Sequence, residues 1–154
     1  MGGINAFVPL KKQVIMKQSF WALALLLLAG CTAHEAVTRE NLMHHHWVLT
    51  SIDQKAVPDK TTGQAQPDLE IGENLTVNGT TGCNRYRGQG KLDGSLFKVQ
   101  QLSTTRRACR PPYSNIEQTL TSVLNSGAEI TLTKDTLTLK NAQHTLAFTL
   151  RDWL

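Results

Sequence analysis

Among the 154 residues of this chain, the side chains that stand out as able to do chemistry are three cysteines, a cluster of arginines, a histidine triplet and the carboxylates of Asp93 and Glu117. Thiols pair in oxidising compartments, ligate metals at short spacings or carry lipid. Cys31, Cys83 and Cys109 form no CxxC and no zinc-type Cys/His spacing, which excludes a redox or zinc motif. Between Cys83 and Cys109 stand Arg85, Arg87, Lys91, Lys98, Arg106 and Arg107 against Asp93 alone, and Arg110 follows at once. Guanidinium groups pair bidentately with phosphate and carboxylate. Brought to one surface, Arg85, Arg87, Arg106, Arg107 and Arg110 make a binding patch for anionic lipid headgroups, lipopolysaccharide phosphates or an acidic protein; the other reading is a hairpin facing water.

In His44-His45-His46, only the first and third side chains share a side of an extended chain,. With no third ligand at suitable spacing, no metal site is assigned. Nor is there a G-x-S-x-G, an H-E-x-x-H or a Gly-rich phosphate loop,. The sequence therefore offers no catalytic constellation and calls for no cofactor. Asn84 and Tyr86 flank the cysteine block and read as a turn-satisfying amide and a packed ring rather than as ligand readers.

The chain's address explains the odd cysteine. Phe20 to Ala29 is an unbroken apolar run of ten residues behind Lys11, Lys12 and Lys17. That is signal-peptide patterning, about half the length that spans a bilayer. Leu28-Ala29-Gly30-Cys31 resembles the bacterial lipobox, after which cleavage leaves a lipidated Cys31 as the first mature residue. Residue 32 is Thr rather than the Asp that holds such proteins at the inner membrane, which implies the periplasmic face of the outer membrane. Several acyl chains give stable anchoring. Met16-Lys17 opens a complete signal by itself, so residues 1–15 read as an extended start or upstream read-through. The expected organisation is a signal peptide over 1–30, a lipidated tether over 31–43 and one domain over 44–154.

With the signal removed, 124 residues remain (154 minus 30), carrying 13 basic residues (16 minus 3) against 12 acidic. That is one domain's worth of chain. A net charge of +4 falls to +1, and a nucleic-acid-binding reading loses its support. Cys83 and Cys109 remain as an even pair: a disulfide is the economical reading, two buried free thiols the other. A bridge there would stabilise the fold by about 3 to 4 kcal/mol on the chain-entropy account.

The elements that must position these residues are mostly strands. Trp47 to Ile52, Leu69 to Ile71, Leu75 to Val77, Tyr86 to Leu92 and Leu96 to Val99 have strand composition,. Asn78-Gly79 and Asp93-Gly94 read as turns. After Pro111-Pro112, Ser114 and Glu117 match a capping box, Ile116, Leu120, Val123 and Leu124 share one helix face, and Gly127 closes the helix,. The last segment alternates with period two through Ile130, Leu132, Leu137, Leu139, Leu146, Phe148 and Leu150, a three-stranded meander,. The expected fold is mainly β with one α-helix: a small closed or nearly closed antiparallel β-barrel-like sheet of about seven or eight strands, with the helix packed on it.

Two blocks then carry a resemblance. Gly82-Cys83-Asn84-Arg85-Tyr86-Arg87-Gly88, followed by Leu102-Ser103-Thr104-Thr105-Arg106-Arg107-Ala108-Cys109 and by Glu117, resembles the signature of the META/HslJ domain family. Its motif positions here are Gly82, Cys83, Asn84, Tyr86, Gly88, Thr105, Arg106 and Cys109, and the likeness is strongest to heat-shock lipoproteins of enteric bacteria. Arg107 departs from the pattern, standing where the family usually has Met. The resemblance implies a small barrel with one helix, stress-inducible expression and a link to antibiotic tolerance; it implies no reaction. The function expected is that of a monomeric, non-enzymatic envelope lipoprotein that binds an envelope protein or a lipid. One alternative is a pilot-like chaperone for an outer-membrane assembly, which needs an open apolar groove beside Ile116 to Leu124. The other is a cell-wall-directed enzyme or enzyme inhibitor, with Glu117, Asp93 or the arginines at a cleft.

Overall fold

The computed structural model describes residues 2–3, 36–59 and 64–152. The apolar signal run, the lipobox and Cys31 lie outside the described residues. Among those described, no helix is long and apolar enough to cross a membrane.

The domain opens with α1 (Arg39–Leu42) and β1 (His45–Ile52), then β2 (Lys55–Ala56), β3 (Asp68–Ile71), a 3-10 turn (Glu73–Leu75), β4 (Thr76–Thr80), β5 (Arg85–Asp93) and β6 (Leu96–Thr104). The long helix α2 (Tyr113–Ser126) follows, and β7 (Ala128–Leu132), β8 (Thr136–Lys140) and β9 (Thr145–Leu150) are the last elements among the described residues. All pairings are antiparallel, in the order β2-β1-β3-β4-β5-β6-β7-β8-β9, and β1 pairs again with β9. That last pairing closes eight strands into a barrel, with the two-residue β2 folded back on the far end of β1. The expected closed sheet with a helix packed on it is thus what forms.

Alternation drives the closure. Along β5, buried Tyr86 and Gly90 alternate with exposed Arg85, Arg87, Gln89 and Lys91; β7, β8 and β9 alternate the same way. Each strand therefore has an apolar face to hide, and rolling up hides all of them at once. Trp47, Phe97 and Phe148 are the largest side chains within. β6 and β7 share only two residue pairs, Leu96↔Glu129 and Phe97↔Ala128. α2 lies against β6 and adds Tyr113, Ile116, Leu120, Val123 and Leu124 to the same core. Gly127, at φ 94°, ends the helix with its N–H on the Val123 carbonyl, because an L side chain is strained there.

Three expectations change. The tether to residue 43 is shorter, since Leu42 is fully buried and Val37 and Met43 pack on the core; polarity masked α1, whose N-cap is the Thr38 hydroxyl. Asn78-Gly79 is not a turn but the middle of β4. A Cβ on Gly79 would sit 2.6 Å from the Tyr86 hydroxyl, so this glycine makes room rather than a bend. The capping box also fails: Pro112 is the N-cap, with no side-chain cap bond, and Glu117 is engaged elsewhere.

Leu120 has no exposed surface and ties α2 to the barrel interior. Leu120→Ala is expected to cost about 2 to 5 kcal/mol by leaving a cavity, read as a lower midpoint in urea unfolding; an unchanged midpoint would show the helix to be a separable appendage.

Candidate functional site

Asn84, only 2 % exposed, is the junction on which three segments meet. Its Nδ2 donates to the Arg107 carbonyl at 3.0 Å and to Glu117 Oε2 at 2.9 Å. Its Oδ1 accepts from the Arg107 N–H at 2.8 Å and from the Thr105 hydroxyl at 2.9 Å. Both amide hydrogens and both lone-pair sites are therefore used, which fixes the amide orientation without ambiguity. The Asn84 N–H donates to the Thr81 hydroxyl at 2.9 Å, and that hydroxyl donates to Glu117 Oε2 at 2.7 Å.

Glu117 thus receives two hydrogen bonds from the turn after β4 and holds α2 to it. Cys83 and Cys109 are joined by a disulfide, with Cα atoms 6.1 Å apart, clamping the segment before β5 to the one after β6. Gly82 completes the turn at φ 90°, where a Cβ would come within 2.5 Å of the Tyr113 ring.

Tyr86 carries the connection to β3. Its hydroxyl donates to the Asp68 carbonyl at 2.6 Å. Burial, and then the Asp68 charge, hold its pKa well above the usual tyrosine value. The Asp68 carboxylate accepts from the Thr80 N–H at 2.7 Å and faces His46 Nε2 at 2.9 Å.

Outside the barrel wall above this pair runs an open groove of about 740 Å³, lined on one side by Asp68 and Glu70 and on the other by Arg85 and Arg87. Asn78, Thr80 and Ser103 form part of its floor. A second hollow of about 560 Å³ shares Asn78, Arg87 and Ser103 with it. The five arginines consequently divide. Arg85 and Arg87 line the groove; Arg106, Arg107 and Arg110 are exposed on the loop between β6 and α2 and do not line it. Arg107 binds Asn84 through its backbone alone, so its cation stays in water where an apolar side chain was the family pattern. Gly88, the last motif position on β5, sits where the β5–β6 register shifts. Asp93 is at the far end of β5, outside both hollows.

The histidines are held by carboxylates. His44 lies 3.1 Å from Glu73, His45 2.8 Å from Asp152, His46 2.9 Å from Asp68 and His144 2.8 Å from Asp53. Among the described residues no group of three or more His, Cys, Asp or Glu is placed to hold a metal ion. Sequence reasoning missed Thr81, Asp68, Glu70 and Asn78. The alternation Asp68-Leu69-Glu70-Ile71 was a usable signal for the acidic pair, since it sends both carboxylates outward.

These observations define a class: a small closed antiparallel β-barrel, plugged by one helix and pinned at one corner by an asparagine, a glutamate and a disulfide. Comparison with known proteins narrows it. The META domain model matches residues 40–153, and the chain belongs to the META domain family. It is 38% identical over 137 residues to heat shock protein HslJ of Escherichia coli (strain K12), covering 87% of this chain and 94% of that protein. Two structures determined by NMR share the fold. One has 36% identity and a TM-score of 0.66, covering 75% of this chain and 97% of that one. The other, from Burkholderia xenovorans, has 25% identity and a TM-score of 0.61, covering 76% and 94%.

Two predictions follow the geometry. Asn84→Ala strands the Arg107 N–H and one side of Glu117 in a part-buried site, and is expected to cost about 2 kcal/mol in denaturant unfolding. Asn84→Asp should be no milder, because it sets a second carboxylate against Glu117. The second concerns Asp152. Partial burial pushes its pKa up, but the His46 N–H, the His45 ring and the charges of both histidines outweigh that and hold it below the ordinary 3.8. A lowered carboxylate pKa stabilises the folded state above the unfolded value and ceases to as the pH falls through the folded one. Asp152→Asn should therefore melt below the parent at pH 7, with the gap closing below about pH 4; a gap that persists in acid would show that the tail is not held by charge.

Proposed function

We propose that this chain is an envelope lipoprotein of the heat-shock response, held by lipidated Cys31 at the periplasmic face of the outer membrane. In this reading it acts without catalysis, by binding an envelope protein against the outer wall of its barrel, and contributes to antibiotic tolerance through that contact. The lipobox supports the address, and family membership with a heat-shock-named relative supports the stress role. The observation that carries the binding reading is the groove at Arg85 and Arg87, where guanidinium groups without ion-pair partners among the described residues face carboxylates across a polar floor. A wall bearing both signs of charge suits a protein surface, which also bears both, better than a uniformly anionic lipid face.

The alternatives find less support. The apolar face of α2 is covered, Ile116 being 6 % exposed and Leu120 and Val123 fully buried, so the open groove that a pilot-like chaperone needs is missing beside that helix. Glu117 is spent on Thr81 and Asn84, and Asp93 lies outside the arginines' groove, so neither carboxylate named for the enzyme reading stands beside those arginines.

A photo-crosslinking residue at Ser103 in living cells tests the binding reading. The expected result is a discrete crosslinked protein, reduced about tenfold by combining Arg85→Glu with Arg87→Glu. Recovery of free monomer alone, or of lipid alone, would overturn it.

A further inference from the structure

Glu70, Asn78, Arg87 and Ser103 are register partners on β3, β4, β5 and β6: Glu70↔Asn78, Asn78↔Arg87 and Arg87↔Ser103. They form one transverse row on the outer wall, each strand about 4.8 Å from the next. All four are exposed. The side chains of Glu70, Asn78 and Arg87 make no hydrogen bond or ion pair with any described residue. Arg85 lies two residues along β5 on the same face, about 6.7 Å from Arg87 along the strand, and its guanidinium is equally unpaired.

Asp68 differs from these residues. Its carboxylate is occupied by the Thr80 N–H and by His46. What the groove leaves available is two guanidinium groups on β5, one carboxylate on β3 two strand spacings away, and between them an amide able both to donate and to accept. Fixed strands keep the opposite charges about 10 Å apart at the backbone. A ligand that carries the complementary pair can satisfy both ends at once.

We propose that this row is a binding site for a short peptide carrying one free carboxylate and one primary ammonium. The carboxylate seats between Arg85 and Arg87, the ammonium pairs with Glu70, and Asn78 bonds the peptide amide between them. The inference rests on the reading that this wall is the partner-binding face, and names what it recognises there. An extended chain covers the span in about three residues at 3.3 to 3.6 Å each. A phosphate or an anionic membrane fits less well, because it meets Glu70 beside the arginines. A cationic helix meets the arginines themselves.

The probe is acetyl-Lys-Ala-Ala with a free carboxyl terminus, titrated into the ¹⁵N-labelled full chain while backbone amide shifts are followed. Saturable shifts are expected at Asn78, Arg87 and Ser103. Amidating the carboxyl terminus or acetylating the lysine should each weaken binding about tenfold, as should Arg87→Gln or Glu70→Gln, since each removes one charge-assisted contact. These residues are exposed, so an unchanged melting transition in each variant separates lost binding from lost fold. Absence of saturable shifts, equal binding of the amidated peptide, or binding of inorganic phosphate or phosphatidylglycerol vesicles to the parent chain more tightly than the peptide would each overturn the proposal. Crosslinking at Ser103 that survives a failed titration overturns the peptide site alone; failure of both overturns the wider reading.

Discussion

The Asn84 side chain is the constraint on which the other contacts at this corner depend. Three segments arrive there with polar groups to satisfy: the turn after β4, the loop from Thr105 to Cys109, and the first turns of α2. Strand and helix bonds serve only some of these groups, and partial burial makes it costly to leave the rest unpaired. A carboxamide is the one side chain that offers two donors and two acceptors in a plane, and all four are taken up here. Glu117 is tolerable in a half-buried setting because its Oε2 accepts hydrogen bonds from Thr81 and Asn84,. The disulfide acts alongside, keeping the same two segments adjacent.

Placing the knot at that corner has consequences for the wall. It fixes where β5 starts and where β6 ends, and so the register of the hairpin that carries Arg85 and Arg87 outward. Tyr86, between them, points inward, and its hydroxyl reaches the Asp68 backbone through the space that Gly79 leaves open. The same residue that fills the core therefore sets β3 against β5 with β4 between. The charges on the outer wall are spaced by packing inside it.

Much of this was legible in the residues, and what was not has a physical reason. Period-two alternation in the last three strands and the 3.6-residue face from Ile116 to Leu124 are strong local signals, and both elements form. Asn78-Gly79 misled because a turn and a close approach both select glycine, and only the position of the Tyr86 ring separates them. Glu117 misled because its spacing from Ser114 satisfies a local motif, while the partners it takes, Thr81 and Asn84, lie 36 and 33 residues away. The arginines were visible as a cluster in sequence. Their division between groove and loop was not, since it depends on where β6 stops. Asp68 and Glu70 were overlooked because the pairing that brings β3 near β5 passes through β4.

Opposite charges on one surface commonly collapse onto each other, and a flexible loop bearing Glu70 and Arg87 would let them. Here each sits on a strand whose neighbours and buried face fix its position, and the strand between holds them two spacings apart. Exposed ion pairs stabilise little, about 0 to 1 kcal/mol, so a fold loses almost nothing by leaving such groups unpaired. What it gains is a surface already in the shape a complementary partner needs, with little ordering left to do on binding. Stability is concentrated at Asn84 and in the plugged interior, which leaves the outer wall free to be chosen for recognition.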